Sequence, residues 1–208
     1  MPRSRIILVA ALAALVPGLA ALLFWGADGS AGRPLHATVL PEPLPLPEFA
    51  LRDQHDEPFT RDRLRGRASL LFFGFTHCPD ICPATLQQLT LARKQIAEAS
   101  HDRTGSLPQI VLISVDPERD TSARLAQYVS HFGEGVDAAT GSPEAVSEFT
   151  SALGIFFEKE APGEGDYTVS HSTAVLFVDE EAALSAVFSA PHKSEHFVHD
   201  VPLLMAAR

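Results

Sequence analysis

The chain has 208 residues, of which 46% are hydrophobic and 20% are charged. This composition is typical of one globular domain of about 150–160 residues, once a single apolar terminal segment is set aside. Residues 1–25 hold two arginines and no acidic residue, so residues 26–208 carry 14 basic and 26 acidic side chains, a formal charge of −12. Such a surface repels nucleic acid and favours cationic ligands or basic partners.

The first predicted element is an apolar segment at residues 6–25 that contains no charged residue. Its length matches the ~20 residues that span a bilayer as a helix, and Arg3 and Arg5 before it predict a cytoplasmic N-terminus. A cleaved signal peptide is the alternative, but its apolar region is shorter, about 7–15 residues, and no small-x-small cleavage site follows Trp25. No mitochondrial transit peptide is recognisable. We therefore expect residues 1–25 to form an uncleaved anchor in a bacterial inner membrane, with the remainder in the periplasm.

A Pro-rich stretch, residues 26–47, follows the predicted anchor. The prolines crowd its second half, which predicts an extended and semi-rigid tether between the membrane and the folded part. The folded domain is therefore expected to comprise residues 48–208.

Strand and helix patterns alternate along the predicted domain. A hairpin with its turn at residues 54–57 comes first, and the continuous apolar run Ser69–Phe75 predicts a buried parallel strand. A helix is then predicted from Pro83 to about Ala99. A second buried strand follows over Ile110–Asp116, and after it a helix that ends at Gly133.

The C-terminal third continues with a helix, a hairpin and a helix. Ser142 and Pro143 make an N-cap and N1 pair that starts the first of these helices. The hairpin turns at residues 179–183, and Ser194 begins the last helix. The whole order of elements predicts an α/β sandwich.

The two cysteines of the chain, Cys78 and Cys82, follow the first buried strand at its carboxyl end. Open α/β sheets place ligands at that edge. The helix predicted to begin at Pro83 offers free N–H groups and a positive dipole end, which favour thiolate over thiol. Asp80 between the cysteines opposes a second anion but favours a bound cation. In an oxidising compartment the pair must form a disulfide, bind a metal or cycle between these states.

The C-x3-C spacing is one residue longer than the C-x2-C spacing of thiol-disulfide oxidoreductases. The additional residue gives the sulfurs room to flank a metal ion without forbidding a disulfide. Two thiolates are a soft ligand set, which in this compartment selects Cu(I) or zinc. A third ligand is then needed from elsewhere in the fold.

Four segments of the chain together resemble the Sco/SenC family, copper-binding assembly factors for the binuclear copper centre of cytochrome c oxidase. They are GFTHCPDICPATL at residues 74–86, SVDPERDTSARLAQYVSHF at 114–132, TGS at 140–142 and YTVSHST at 167–173. The resemblance covers nearly all of residues 48–208. It implies an α/β fold with a thioredoxin-like, peroxiredoxin-related central sheet flanked by helices, preceded by one N-terminal transmembrane helix.

The resemblance also implies the ligands of one copper ion, bound as Cu(I), as Cu(II) or as both. The cysteine ligands of the family fall on Cys78 and Cys82, and its histidine ligand falls on His171. Ser172 stands where related thioredoxin-fold oxidoreductases have a cis-proline, so an imidazole can approach the sulfurs. Two departures from the family pattern, Ser170 and the turn at residues 179–181, remove no ligand.

A copper metallochaperone is the function that the resemblance implies. Its partner would be the copper-bearing subunit of cytochrome c oxidase or another copper chaperone, and transfer would proceed by ligand exchange. The alternative is a thiol-disulfide oxidoreductase in which Cys78 and Cys82 are the catalytic redox pair that reduces the cysteines of a target before metal insertion. A structural disulfide and a membrane-anchored copper or redox sensor are also compatible with these residues.

Other polar residues have simpler interpretations. Asp116 before Pro117 is interpreted as a helix N-cap followed by a helix-start proline, which leaves Glu118 and Asp120 unexplained. His77 precedes Cys78 in an extended segment and points to the opposite face, so we place it outside the metal shell.

Three further histidines, His192, His196 and His199, fall at i, i+4 and i+7, the spacing of one helical face. Three aligned imidazoles could bind a metal weakly, but a solvated face is the preferred interpretation.

Overall fold

The structure, a computed structural model, describes residues 32–99, 107–163 and 166–207. Arg33–Arg208 form one compact unit. The α-helices described are α1 (Ile81–Ala99), α2 (Ser122–Val129), α3 (Pro143–Ala152) and α4 (Ser194–Ala206). The strands described are β1 (Ala37–Pro45), β2 (Ala50–Asp53), β3 (Pro58–Thr60), β4 (Ser69–Gly74), β5 (Gln109–Ser114), β6 (Val136–Thr140), β7 (Phe157–Gly163), β8 (Asp166–His171), β9 (Val175–Val178) and β10 (Ala183–Phe188).

An eight-stranded mixed sheet forms the centre of this unit, in the order β1-β10-β9-β4-β5-β6-β2-β3. At its middle, β4 runs parallel to β5 and antiparallel to β9. Every residue of β4 and of β5 is buried, as expected for continuous apolar strands that are covered on both faces. The predicted α/β class and the two predicted buried strands are confirmed. The strands β7 and β8 form a separate antiparallel hairpin.

Helix α1 begins earlier than the sequence predicts. Its first backbone hydrogen bond runs from the Ala84 N–H to the Asp80 carbonyl, 3.1 Å, and the helix starts at Ile81 rather than at Pro83. Cys82 therefore lies within the first turn of the helix. Leu86, Leu89 and Ile96 on one face of this helix are buried, and α1 packs against α4.

The first residues of α2 and α3 can be compared with the N-caps that the sequence predicts. Ser142 caps α3 with Pro143 at the first helical position, as predicted. Helix α2 instead begins at Ser122, and the Thr121 hydroxyl accepts a backbone N–H of its first turn. The N-cap interpretation of Asp116 is therefore wrong, because this residue lies several positions before the helix.

The predicted boundary at residue 48 is also wrong, since part of the predicted tether is a strand of the sheet. Strand β1 pairs antiparallel with β10, and Leu46 after it is only 1% exposed. The register of β1 against β10 shifts between Val39 and Leu44, so the N–H groups that Pro41 and Pro43 lack fall where the strand pairing is irregular. A strand at the edge of a sheet tolerates this loss, which explains why a Pro-rich sequence is part of the fold.

The predicted membrane anchor, residues 1–25, and the first part of the predicted tether lie outside the described residues. Among the residues that the structure does describe, no helix has the length and apolar character needed to cross a bilayer.

Truncation tests the corrected boundary. A chain that begins at Glu48 lacks β1, and it leaves Asp200, whose side chain is buried, without the three backbone N–H groups of residues 35–37. We expect its free energy of unfolding to be lower by ~3 kcal/mol or more than that of a chain beginning at Arg33. Urea denaturation of the two chains measures the difference, and equal values would restore the boundary at residue 48.

Candidate metal centre

Three side chains from separate parts of the chain converge at the carboxyl end of β4. Cys78 lies in the loop after this strand, Cys82 lies in the first turn of α1, and His171 is the last residue of β8. One ligand atom from each lies within 4.8 Å of the other two. The Sγ of Cys82 and the Nε2 of His171 are 3.4 Å apart. The structure thus brings together the three residues predicted as ligands; their binding of a metal stays a prediction.

The sulfur of Cys78 lies in an environment that favours a thiolate. A hydrogen bond from the Cys82 side chain lowers the pKa of Cys78 to about 3, with further hydrogen bonds from the backbone of Asp80 and Cys82 and an opposing contribution from burial. These backbone donors belong to the beginning of α1, where unpaired N–H groups are available to an anion. Cys78 is half-buried and therefore reachable from solvent.

The sulfur of Cys82 lies in an environment that favours the protonated thiol. The hydrogen bond to Cys78 and burial both raise the pKa of Cys82, whose side chain has no exposed surface. Without metal the pair therefore holds one proton, on Cys82, and a metal ion that takes both sulfurs must displace it.

Gly74, the last residue of β4, makes room for the Cys82 sulfur. A Cβ at this position would lie 2.7 Å from the Sγ of Cys82, closer than a Cβ approaches its neighbours in proteins, and 3.0 Å from the Cε1 of Phe72. The glycine is therefore required by close packing against the Cys82 sulfur and the Phe72 ring rather than by a turn of the backbone.

The imidazole of His171 is held with one nitrogen toward the sulfurs. Its Nδ1 donates to the carbonyl of Ser172 at 2.9 Å, which leaves the lone pair of Nε2 directed at Cys82. The ring also makes edge contacts with Phe72 and Phe75, at centroid distances of 6.2 and 5.8 Å. A backbone acceptor on one nitrogen is the usual way in which a protein orients a metal-binding histidine.

The hairpin that carries His171 is tied to the sheet through Asp116. The Tyr167 hydroxyl donates to Asp116 at 2.6 Å, and Arg119 pairs with the same carboxylate. Arg119 also donates to the Tyr167 carbonyl at 3.0 Å and lies 3.7 Å above its ring. Burial, together with the bond to Asp116, raises the pKa of Tyr167 to about 12, so its hydroxyl stays protonated as a donor.

The segment before Cys78 is fixed by Asp120, which the sequence left unexplained. This buried carboxylate accepts the Thr76 N–H at 2.9 Å, the Thr76 hydroxyl at 2.6 Å and the Ser114 hydroxyl at 2.7 Å. The Nδ1 of His77 lies 3.8 Å from the same residue, so His77 is outside the Cys78, Cys82 and His171 cluster, as predicted.

Sequence reasoning missed the functions of these supporting residues. The i, i+3 spacing of Asp116 and Arg119 suggests a local ion pair. Nothing in the sequence indicates that Tyr167, at a distance of 51 positions from Asp116, completes the arrangement.

A shallow cleft connects the cluster to the protein surface. It is lined on one side by Phe75, Pro79 and Ile81 and on the other by the β8 residues 168–171. Cys78 lies in this cleft, whereas Cys82 lies beneath it. A partner protein can therefore reach the cluster from the side of Cys78.

Known proteins are similar to this chain in sequence and in fold. The model of the SCO1/SenC family matches residues 40–206, a range that begins within β1. A protein of Stutzerimonas stutzeri described as copper-binding is 36% identical over 205 residues, covering 97% of this chain and 94% of that protein. The mouse mitochondrial SCO2 homologue is 34% identical over 161 residues, 77% of this chain and 62% of its own length. The crystal structure of Arabidopsis thaliana ScoI with copper bound has a TM-score of 0.70 and 32% identity, covering 74% of this chain and 94% of that one.

A Gly74→Ala substitution tests whether the position of the Cys82 sulfur controls metal affinity. The added Cβ must displace this sulfur, so we expect the Cu(I) affinity of the reduced protein to fall at least about tenfold, or ~1.4 kcal/mol. Competition with a chromogenic Cu(I) chelator measures it. Gly66→Ala is the control, because its Cβ meets no atom within 4 Å while its φ of +77° strains the backbone. Loss of affinity in both variants, or in neither, would contradict the role given to Gly74.

Alkylation tests the ionisation of the cysteine pair. Because the pKa of Cys78 is lowered to about 3, its thiolate should be fully formed from pH 5 to pH 8, and its alkylation rate with iodoacetamide should be nearly constant over that range. An ordinary thiol, with a pKa of about 8.5, instead reacts roughly tenfold faster per pH unit below its pKa. Mass spectrometry of the reduced, metal-free protein should find the label on Cys78, and the Cys78→Ser variant should react slowly. A tenfold rise per pH unit at Cys78 would contradict the assignment.

Proposed function

The chain belongs to the SCO1/SenC family, and we propose that it is a copper metallochaperone that delivers its ion to the binuclear copper centre of cytochrome c oxidase during assembly. The observation that carries this proposal is the convergence of two cysteine sulfurs and one imidazole nitrogen within 4.8 Å. We infer that Cys78, Cys82 and His171 are the ligands of one copper ion.

The chemistry of these donors suits copper in both oxidation states. Two thiolates favour Cu(I), and the imidazole adds a harder donor that stabilises Cu(II). Copper is also the ion named for the Stutzerimonas stutzeri relative and present in the Arabidopsis thaliana ScoI structure. Here it is cargo rather than a resident cofactor.

Ligand exchange is the transfer step that this geometry supports. A site with three protein ligands leaves room for an incoming thiolate or thioether of a partner, so the ion need not enter solution. Cys78 and His171 both line the cleft and can be reached by such a partner, while Cys82 is buried. When copper leaves, Cys82 regains the proton that its raised pKa favours. The partner in this proposal is the copper-bearing subunit of the oxidase or another copper chaperone.

The proposed location is a bacterial inner membrane, with the folded unit in the periplasm. The apolar segment at residues 6–25 and the arginines before it support an anchor of this orientation. The oxidising periplasm also suits a pair of cysteines that changes between metal-bound and disulfide forms.

A thiol-disulfide oxidoreductase remains the alternative, because Cys78 has the lowered pKa of an attacking thiolate and Cys82 is positioned to resolve a mixed disulfide. Such an exchange requires no imidazole opposite the cysteines. The placement of His171 with Nε2 3.4 Å from Cys82 therefore favours metal binding over this alternative.

The His171→Ala variant separates the two functions. A chaperone with this substitution should fail to support assembly of the oxidase copper centre in cells that lack the natural copy, with partial rescue by surplus copper. The same variant should still reduce an oxidised target dithiol, because both cysteines remain. Oxidase activity and the copper content of the oxidase measure assembly, and a thiol-trapping assay measures exchange.

The matched control is His77→Ala, which removes an imidazole next to Cys78 in the sequence but outside the cluster. It should support assembly as the parent does. Full assembly by the His171→Ala protein at normal copper would overturn copper delivery and favour the oxidoreductase.

A further inference from the structure

The three histidines with the spacing of one helical face do not all lie on the same surface. His192 is half-buried, its Nε2 lies 2.6 Å from the Thr173 carbonyl, and its ring packs on Phe197 at a centroid distance of 5.7 Å. Burial lowers the pKa of His192. This side chain therefore turns toward the core, and only His196 and His199 remain on the outer surface of α4.

A histidine from the other end of the chain takes the place of His192. His36 directly precedes β1, and its ring stacks on His196 with a centroid distance of 4.0 Å and an interplanar angle of 10°. The His36 ring also contacts the His199 ring edge to face, with a centroid distance of 5.8 Å and an interplanar angle of 87°. We name His36, His196 and His199 the histidine cluster. Its members come from two elements, and none of them contributes to the thiolate site.

A buried carboxylate, Asp200, contacts both parts of the chain that contribute to the histidine cluster. Asp200 has no exposed surface and accepts the backbone N–H groups of Leu35 at 2.9 Å, His36 at 2.7 Å and Ala37 at 2.7 Å. It also pairs with the Nδ1 of His199 at 2.6 Å. With a proton on Nδ1, the Nε2 of His199 keeps a free lone pair. A carboxylate behind an imidazole is the arrangement that orients metal-binding histidines in proteins.

The histidine cluster is accessible and has the charge that a cation requires. His36 and His199 are exposed, and His196 is partly exposed. Ligand atoms of His36, His199 and Asp200 lie within 4.8 Å of one another. The rings of His36 and His196 lie nearly parallel, so one of them has to rotate before nitrogens of all three histidines can face one ion. The four hydrogen bonds to Asp200 use its acceptor sites, which makes it a positioning residue rather than a ligand. The excess of acidic over basic residues in the chain further favours a cation.

We propose that the histidine cluster is a second metal site, which binds one divalent transition-metal ion and prefers Cu²⁺. Three imidazoles without a thiolate suit Cu²⁺, Ni²⁺ or Zn²⁺ rather than Cu⁺, and among these the divalent affinity order places Cu²⁺ first. The site binds its ion whatever the redox state of Cys78 and Cys82. Because His36 precedes β1 and the other two ligands belong to α4, the bound ion also joins these two elements and stabilises the folded chain by mass action.

A cysteine-free background isolates this site. The full chain in detergent with Cys78→Ser and Cys82→Ser is titrated with Cu²⁺ by calorimetry, and we expect one ion with a Kd of about 1 μM or tighter. Electron paramagnetic resonance should show hyperfine coupling to imidazole nitrogen. Adding His36→Ala should weaken binding at least tenfold, whereas adding His55→Ala, an exposed histidine in the β2–β3 turn, should not. Absence of Cu²⁺ binding, or equal binding in these two variants, would overturn the proposal.

The chain with its native cysteines provides a second measurement if the serine variant folds poorly. Its Cu²⁺ stoichiometry should be two, falling to one with His199→Ala and staying at two with His55→Ala. A stoichiometry of one that His199→Ala leaves unchanged would also overturn the second site. Since the thiolate site is absent in the first experiment, failure of the histidine cluster leaves the proposed copper delivery intact.

Discussion

The enclosure of the Cys82 sulfur is the constraint on which the candidate metal centre depends. This sulfur lies 2.7 Å from the place that a Cβ at position 74 would occupy, and it meets both the Cys78 side chain and His171. Each of these contacts comes from a different segment, so a small shift of one segment changes the whole ligand set. The buried central strands provide the rigid support, because β4 ends directly beneath the site.

Three buried aspartates hold the segments that the central sheet does not fix by itself. Asp120 holds the residues before Cys78, Asp116 holds the hairpin that ends at His171, and Asp200 holds the chain ahead of β1. Each is buried with several donors around its carboxylate, which compensates for its removal from water. The positions of these segments thus depend on carboxylates that themselves touch no proposed ligand sulfur, and loss of one would leave unpaired donors in the interior.

Local sequence signals predicted the core of the fold well, and they failed where distant residues decide the outcome. The apolar runs of β4 and β5 and the Ser142 cap are local patterns, and the structure confirms them. The Pro-rich sequence of β1 predicts a tether, because the strand that it pairs with lies at the far end of the chain. The Asp116–Pro117 sequence predicts a helix cap, because nothing local indicates the partner Tyr167, 51 positions further along the chain. The residues alone left the third ligand open, and only the family resemblance indicated His171.

In the proposed copper delivery, the proton held by the cysteine pair would link copper binding to copper release. Without metal, the hydrogen bond between the sulfurs lowers the pKa of Cys78 and raises that of Cys82, so one thiolate and one thiol are present at neutral pH. In the proposed copper delivery, copper would first bind the Cys78 thiolate, which faces the cleft, and binding by Cys82 as well would require loss of the Cys82 proton. Release to a partner would return that proton to Cys82. The tendency of Cys82 to stay protonated would then lower the copper affinity and favour transfer to a partner whose thiolates carry no proton.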